Sequence, residues 1–375
     1  MTAQSLPARP LRHAPRNFAE TPLNVYWEMT QACALACRHC RAEAMPQPHP
    51  LQLTFAESLR FLRQIPDFGD PSPQLILTGG DPLSHPDLIP LVDAARDLGI
   101  PVSITPSATP TLTQEILTLL KRHGVEALGL SLDGSTAARH DSSRGIEGTF
   151  ARTIEAMQWA AQLEMPLQIN TLVAAETVDD LRAVYELLKT MHVARWSLFF
   201  LISVGRGRVL QALEPMQAES LMSWIYQIAQ EAPFAVATTE APSYRRVALG
   251  AMHSAGMSGE AIRGTPIGRG FGIRDGNGIV FVSNTGDICP AGFLPMAAGN
   301  VRNDHLVQVY RESLLFSALH DAAHFHGRCG RCEYRAICGG SRARAFAASG
   351  DPLGEDPLCP YQPQREGQPV MPALH

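Results

Sequence analysis

Short runs of β-forming residues alternate with amphipathic helical stretches from residue 22 to about residue 205. The runs predict six strands, at residues 25–29, 74–78, 101–105, 127–132, 167–172 and 195–201. Six β–α repeats imply parallel strands joined by crossover helices. The pattern therefore predicts an α/β fold, and both a doubly wound sheet and a partial (β/α)6 TIM-type barrel satisfy it.

The 375 residues suggest more than one domain. We divide the chain into a flexible N-terminal arm at residues 1–20 and the α/β domain at 21–215. A helix followed by a linker and substrate-facing loop occupies residues 216–278. A small cysteine-organised C-terminal module, beginning with a hairpin, follows at 279–362, and a tail at 363–375.

Composition excludes several classes of protein. The net charge is −5, and no run of Lys and Arg marks a nucleic-acid surface. No apolar run reaches the roughly 18 residues of a membrane span. The first 19 residues lack the apolar segment of a secretory signal. Seven of the eight cysteines fall into two dense clusters, which indicates metal ligands in a reducing cytoplasm.

The first cluster is Cys33, Cys37 and Cys40, spaced C-x3-C-x2-C directly after the first predicted strand. Three thiolates on one short loop can hold three irons of a [4Fe–4S] cluster and leave the fourth iron open to a small molecule. A structural zinc site is the alternative, but it requires four ligands. His39 would have to supply the fourth from a position between two others.

Gly79-Gly80-Asp81-Pro82 follows the second predicted strand, about forty residues after the triad. The two motifs together resemble the radical S-adenosylmethionine (SAM) superfamily, whose common second motif has Glu where this chain has Asp81. The resemblance covers nearly the whole chain. It implies that SAM chelates the open iron, that an electron from the cluster cleaves SAM, and that the resulting 5′-deoxyadenosyl radical takes a hydrogen atom from the substrate.

The resemblance also assigns SAM-binding positions residue by residue. It implies that the amino group of SAM is met by Gly79, Gly80 and Asp81, and the ribose by Ser131 and Asp133. The carboxylate of SAM would pair with Arg144. Weaker candidates follow strands five and six, at Asn170 and Gly205. His39 is expected to pack beside the adenine. The alternatives are a turn residue for Asp133 and a solvated surface residue for Arg144. No residue that acts on the substrate is identified.

The second cluster is Cys329, Cys332, Cys338 and Cys359. It resembles the SPASM module of many radical SAM maturases, which carries seven cysteines and two auxiliary clusters. This chain departs from it, because Asp304 and Arg342 stand where two cysteines are expected. We therefore predict one auxiliary [4Fe–4S] cluster on these four thiolates. Cys289 is either a further ligand or a buried free thiol.

Zinc is again the alternative, because C-x2-C followed by two cysteines also occurs in zinc ribbons. Three histidines lie just upstream, at His320, His324 and His326. On this alternative the chain is a zinc-stabilised binding protein without redox chemistry. A second alternative enzyme binds SAM but transfers its methyl group.

The substrate stays open between two classes that share this architecture. The sequence from Trp27 to the triad, together with Gly-Gly-Asp-Pro, looks similar to enzymes that modify haem-type tetrapyrrole side chains. Ribosomally made peptides are the alternative. Arg245 and the arginines up to Arg274 are hypothesised to meet substrate carboxylates. The expected electron donor is a reductase or a protein of flavodoxin or ferredoxin type. The bond broken, the oligomeric state and whether SAM is regenerated stay open.

Overall fold

A computed structural model describes residues 16–364, and within them ten strands form one sheet. The strands, β1 to β10 in chain order, are Asn24–Glu28, Gln74–Thr78, Val102–Ile104, Val125–Ser131, Leu167–Val173, Arg195–Phe200, Ala235–Thr239, Ile279–Val282, Asp287–Cys289 and Gly299–Asn300.

The sheet order is β10-β9-β8-β1-β2-β3-β4-β5-β6-β7. All neighbours from β8 to β7 are parallel, while β9 and β10 run antiparallel. Strands β7 and β10 are the two edges, so the barrel is open. This confirms the predicted partial barrel and excludes the doubly wound alternative, since strand order follows chain order from β1 to β7.

The α-helices, α1 to α14 in chain order, are Phe55–Leu62, Leu88–Asp97, Gln114–Arg122, Ala137–Arg144, Thr149–Gln162, Leu181–Lys189, Pro215–Ala229, Tyr244–Ser254, Gly259–Gly264, Pro266–Arg269, Leu306–Glu312, Leu314–His320, Gly327–Arg331 and Arg342–Ser349. Short 3₁₀ turns precede or follow several of them, including one at Gly205–Val209.

Local sequence explains why these elements form. Thr54 and Glu57 cap the first turn of α1 reciprocally, which satisfies two backbone N–H groups that the helix leaves unpaired. The helix then buries Phe61 against Trp27 of β1, with the two rings edge to face at 5.2 Å between centroids. Burying a side chain of this size contributes about 2–3 kcal/mol, so packing fixes the helix on the sheet.

One prediction about secondary structure is wrong, and two elements were not predicted. The segment 242–278, predicted as a linker and loop, contains α8, α9 and α10, whose starts are partly set by caps such as Ser258 and Thr265. Strand β7 was missed because it is a half-buried edge with little apolar alternation. Helix α4 was missed because it is polar, although Thr136 caps its start and Gly145 ends it in the left-handed conformation.

The predicted arm and tail lie largely outside the described residues, which exclude 1–15 and 365–375. Within the described part, Arg16 donates to the carbonyl oxygens of Pro22 and Pro71 at 2.7 and 2.6 Å. Arg311 pairs with Glu20 at 3.2 Å. In residues 16–364, no helix is both long and apolar enough to cross a membrane.

Candidate active site

The cysteine loop leaves the carboxyl end of β1 and rests on the glycines that follow β2. The amide of Gly80 donates to the carbonyl oxygen of Thr30 at 2.7 Å, and the amide of Asp81 donates to that of Ala32 at 2.7 Å. A Cβ on Gly79 or Gly80 would lie 2.5 or 2.4 Å from these backbone oxygens. The two glycines are therefore required for the close approach of the loops.

Cys33, Cys37 and Cys40 lie together in one packed cluster with Leu35 and Ala44. The amide of Leu35 donates to Sγ of Cys33 at 3.3 Å, and that of Ala44 donates to Sγ of Cys40 at 3.5 Å. Amide donors of this kind stabilise thiolates and tune iron–sulfur clusters. Burial raises the pKa of Cys33, so charge compensation of the thiolate matters here.

Ser107, which the sequence did not single out, joins the two motifs. Its Oγ lies 3.6 Å from Sγ of Cys33 and donates to the carbonyl oxygen of Gly80 at 3.2 Å. The carboxylate of Asp81 accepts from the amides of Leu83 and Ser107 and from Oγ1 of Thr109. Asp81 is buried, which raises its pKa, and its bonds hold the loop after β2 in place.

Asp133 and Arg144 form a buried ion pair beside the cysteine loop. Oδ2 of Asp133 lies 2.6 Å from Nη2 of Arg144, and its Oδ1 accepts from the amide of Leu172 at 2.8 Å. Nη1 of Arg144 donates to Sγ of Cys37 at 3.7 Å. The side chain of Arg144 is only 12% exposed, and the solvated-surface alternative is wrong.

Two neutral histidines border this pair. Burial lowers the pKa of His39 to about 4, against the charge of Asp133 at 3.7 Å. Burial also lowers the pKa of His140 to about 4, and its Nδ1 accepts from the amide of Asp133 at 3.0 Å. Burial raises the pKa of Asp133, but the charge of Arg144 and the other neighbouring groups together outweigh it and hold the pKa below its ordinary value.

The remaining predicted positions lie at the ends of neighbouring strands. Ser131 in β4 pairs in register with Asn170 in β5, whose Oδ1 accepts from Gln168 at 2.8 Å. Gly205, at the 3₁₀ turn after β6, has φ of +53°, and a Cβ there would lie 2.6 Å from the carbonyl oxygen of Cys40. The cysteine loop is thus held from both sides, by β2 and β6.

A cavity of about 270 Å³ opens beside the loop, between the end of β4 and helix α4. Its lining includes His39, Asp133, Leu172 and Thr177, with Arg139 at the helix. Arg38 and His39 of the cysteine loop line the cavity together with Asp133, so the cavity adjoins that loop.

Cys329, Cys332, Cys338 and Cys359 line one second cavity in the C-terminal module. Cys289 lies apart, buried in β9 and paired in register with Phe281. In residues 16–364, no three His, Cys, Asp or Glu side chains are placed to hold a metal ion.

Arg342 replaces an expected cysteine and is fully buried among the loops of the module. It donates to the carbonyl oxygens of Pro352 and Gly354 at 2.9 and 2.7 Å and to Sγ of Cys329 at 3.6 Å. Its guanidinium lies 4.5 Å above the ring of Phe325. These bonds connect separate loops, so the arginine helps to fix the shape of the cavity.

The hypothesis that the arginines of residues 245–274 meet a substrate is wrong for Arg246 and Arg274. Arg274 is buried and donates to the carbonyl oxygens of Gly272, Leu319 and His320, each at 3.0 Å. Arg246 forms an ion pair with Glu219. Arg246 therefore links α8 to α7, and Arg274 links the segment before β8 to the end of α12.

Two of the histidines considered for zinc have other contacts. The ring of His320 packs on that of Tyr310 at 4.9 Å, and Nε2 of His326 pairs with Asp351.

An open parallel barrel with a three-cysteine loop at the carboxyl end of its first strand defines a class of enzyme that cleaves SAM at an iron–sulfur cluster. Residues 27–188 match the sequence family described as the Radical SAM superfamily. The AdoMet-dependent heme synthase of Nitratidesulfovibrio vulgaris is 33% identical over 368 residues, covering 96% of this chain and 98% of that protein. The enzyme of the same name from Methanosarcina barkeri is 33% identical over 349 residues, covering 93% and 99%.

The chain belongs to the radical SAM superfamily, whose members use a [4Fe–4S] cluster and SAM. The crystal structure of Streptococcus suis SuiB bound to S-adenosylmethionine superimposes with a TM-score of 0.69 at 18% identity, over 91% of this chain and 78% of that one. At this identity the likeness concerns the fold alone.

Proposed function

We propose that this radical SAM enzyme abstracts hydrogen from a side chain of a haem-type tetrapyrrole. The observation that carries the proposal is 33% identity to an AdoMet-dependent heme synthase over almost the full length of both chains. A match confined to the barrel would reflect SAM chemistry alone, whereas this one includes the C-terminal module.

At the first site, we propose that Cys33, Cys37 and Cys40 hold the cluster. When bound, the cluster supplies the electron that cleaves SAM. The loop fits this role, because amide N–H groups already donate to two of the thiols and Arg144 donates to the third.

For SAM, we propose binding by the glycines after β2, the ends of β4 and β5 and the turn after β6, at Gly79, Gly80, Asp81, Ser131, Asp133, Arg144, Asn170 and Gly205. Asp81 acts through the loop that it holds, since its carboxylate is buried and bonded to backbone and hydroxyl groups. The buried ion pair of Asp133 and Arg144 keeps the carboxylate ionised beside the cluster loop.

At the second site, we propose an auxiliary [4Fe–4S] cluster on Cys329, Cys332, Cys338 and Cys359, with Cys289 as a free thiol. Support comes from the four thiols that line one cavity and from the guanidinium of Arg342 at one of them. In this proposal the barrel domain ends at about residue 215, and the module that holds the auxiliary cluster begins at about residue 279. An electron donor of flavodoxin or ferredoxin type, or a reductase, completes the proposal.

The test is a product analysis under anaerobic conditions, with the reconstituted protein, SAM, a reductant and an iron tetrapyrrole that carries propionate side chains. We expect 5′-deoxyadenosine and a tetrapyrrole of altered mass, both detected by mass spectrometry. 5′-Deoxyadenosine without any change in the tetrapyrrole would contradict the proposed substrate and direct the search to peptides. S-Adenosylhomocysteine as the product would contradict hydrogen abstraction altogether.

Metal content tests the two sites separately. We expect about eight irons with matching sulfide per chain, from two four-iron clusters. Cys37→Ala should abolish SAM cleavage, because the first cluster loses a ligand. Cys338→Ala should retain some uncoupled cleavage but lose turnover of the tetrapyrrole. If the two variants behave alike, the proposed division of labour is wrong.

A further inference from the structure

Positive charge is concentrated around the four cysteines of the C-terminal module. Nη2 of Arg342 donates to Sγ of Cys329 at 3.6 Å, and Nη2 of Arg246 donates to Sγ of Cys359 at 4.0 Å. Arg245 is half-buried, and its Nη1 is buried with no hydrogen-bond partner in the described structure. Two thiols of the cavity therefore receive a guanidinium donor.

The two donating arginines differ in how their charge is balanced. The hydrogen bonds of Arg342 to oxygen all go to neutral carbonyl groups, at Gly340, Pro352 and Gly354. Arg246 instead pairs with the carboxylate of Glu219, which lies on α7 and is about a quarter exposed, at 26%. The carboxylate of Glu219 thus partly neutralises the charge of Arg246.

Two other carboxyl groups lie near the cavity. Asp356 pairs with Arg344 at 3.3 Å. Glu333 is buried next to Cys332 and accepts from the hydroxyl of Tyr361 at 2.5 Å. The guanidinium of Arg246 lies 4.7 Å over the ring of Tyr361, so Arg246→Lys, which keeps the charge, is the matched control for this contact.

At the first cluster the arrangement is different. Arg144 also donates to a thiol, that of Cys37, but the carboxylate of Asp133 lies 2.6 Å from the same guanidinium. There the cation is neutralised by a fully buried partner.

We propose that Arg246 and Arg342 raise the reduction potential of the auxiliary cluster, and that Glu219 limits the contribution of Arg246. The inference rests on the auxiliary cluster of the proposed function. Reduction adds one electron and no ligand, so the reduced cluster carries one more negative charge. A nearby buried cation stabilises that charge, and net charge and hydrogen bonds to sulfur are known determinants of cluster potential.

The experiment is a redox titration of the full chain and of variants at Arg246 and Glu219, monitored by electron paramagnetic resonance. Each variant is also measured in a Cys37→Ala background, in which the auxiliary cluster is the one that remains. We expect Arg246→Gln to shift the potential of that cluster downward. Glu219→Gln should shift it upward, because it frees the charge of Arg246. The double variant should fall between Arg246→Gln and the unaltered protein, since it removes the cation that donates to Cys359 together with the carboxylate that offsets it.

Two further variants separate charge from structure. Arg246→Lys keeps the charge and should keep the potential close to that of the unaltered protein. Arg96→Gln removes an arginine that pairs with Asp93 and Asp97 on α2 and should leave both cluster potentials unchanged.

Opposite shifts for Arg246→Gln and Glu219→Gln, with the first cluster unchanged, support the inference. Unchanged potentials, or equal shifts at both clusters, overturn it while leaving the proposed function intact. Zinc in place of iron at the C-terminal cysteines would overturn both the auxiliary cluster and the inference.

Discussion

Replacing Gly80 by Ala tests whether the contact between the two loops holds the cluster site in shape. An added Cβ would lie 2.4 Å from the carbonyl oxygen of Ala32 and 2.6 Å from that of Gln31, both backbone atoms. Ordinary contacts lie near about 3.5 Å, so the loops must separate by about 1 Å. Overpacking of this kind costs about 1–3 kcal/mol. Weakening the 2.7 Å bond from Gly80 to Thr30 adds about 1 kcal/mol.

A penalty of about 2–4 kcal/mol is smaller than the total stability of a typical domain, about 5–15 kcal/mol. The variant should therefore fold. The population of the cluster-binding conformation of the cysteine loop should fall at least about tenfold, since each 1.4 kcal/mol is a factor of ten. We expect a loss of about four irons per chain and of SAM cleavage, with an unchanged circular dichroism spectrum.

The matched control is Gly250→Ala, because Gly250 lies in α8 and its added Cβ meets nothing within 4 Å. That variant should keep its iron and gain about 0.5–1 kcal/mol of stability from helix propensity. Full iron content and normal SAM cleavage in Gly80→Ala would refute the reasoning.

Three further variants test stability, each by denaturant or thermal unfolding. Thr54→Ala removes the cap of α1 and should cost about 1 kcal/mol, and no loss would show that Glu57 suffices. Phe61→Ala leaves a cavity in the core and should cost about 3–5 kcal/mol, whereas a cost below 1 would mean that the core collapses around it. Burial and the charge of Asp275 raise the pKa of Glu240, so the free energy of unfolding should fall as the pH rises above about 4.5. Glu240→Gln should reduce that decline, and an unchanged pH profile would contradict the assignment.

Much of the barrel could be predicted from the sequence because the signals are local. Strand β2 was predicted at the observed residues, and the other five predicted strands agree to within about two residues. The glycines after β2 could be found because they form a motif with the cysteines. Local periodicity and turn chemistry suffice for such elements.

The missing parts depend on contacts between distant residues. The pairing of β1 with β8 joins Asn24 to Ile279, and no local pattern encodes that register. Ser107 gave no motif signal, and it became visible only when its contacts to Cys33 and Gly80 were seen. Arg246 and Arg274 were wrongly expected to face a substrate, because a charge in the sequence does not reveal its burial.

The late partner of β1 has a consequence for how the protein is made. Synthesis proceeds from the N-terminus, so the outer edge of β1 stays without its neighbour until residue 282 has left the ribosome. An exposed strand edge is a template for pairing with other chains. The turn at Gly205, which holds the cysteine loop, also emerges long after Cys40. The cysteine loop therefore lacks this support until more than half of the chain has been translated.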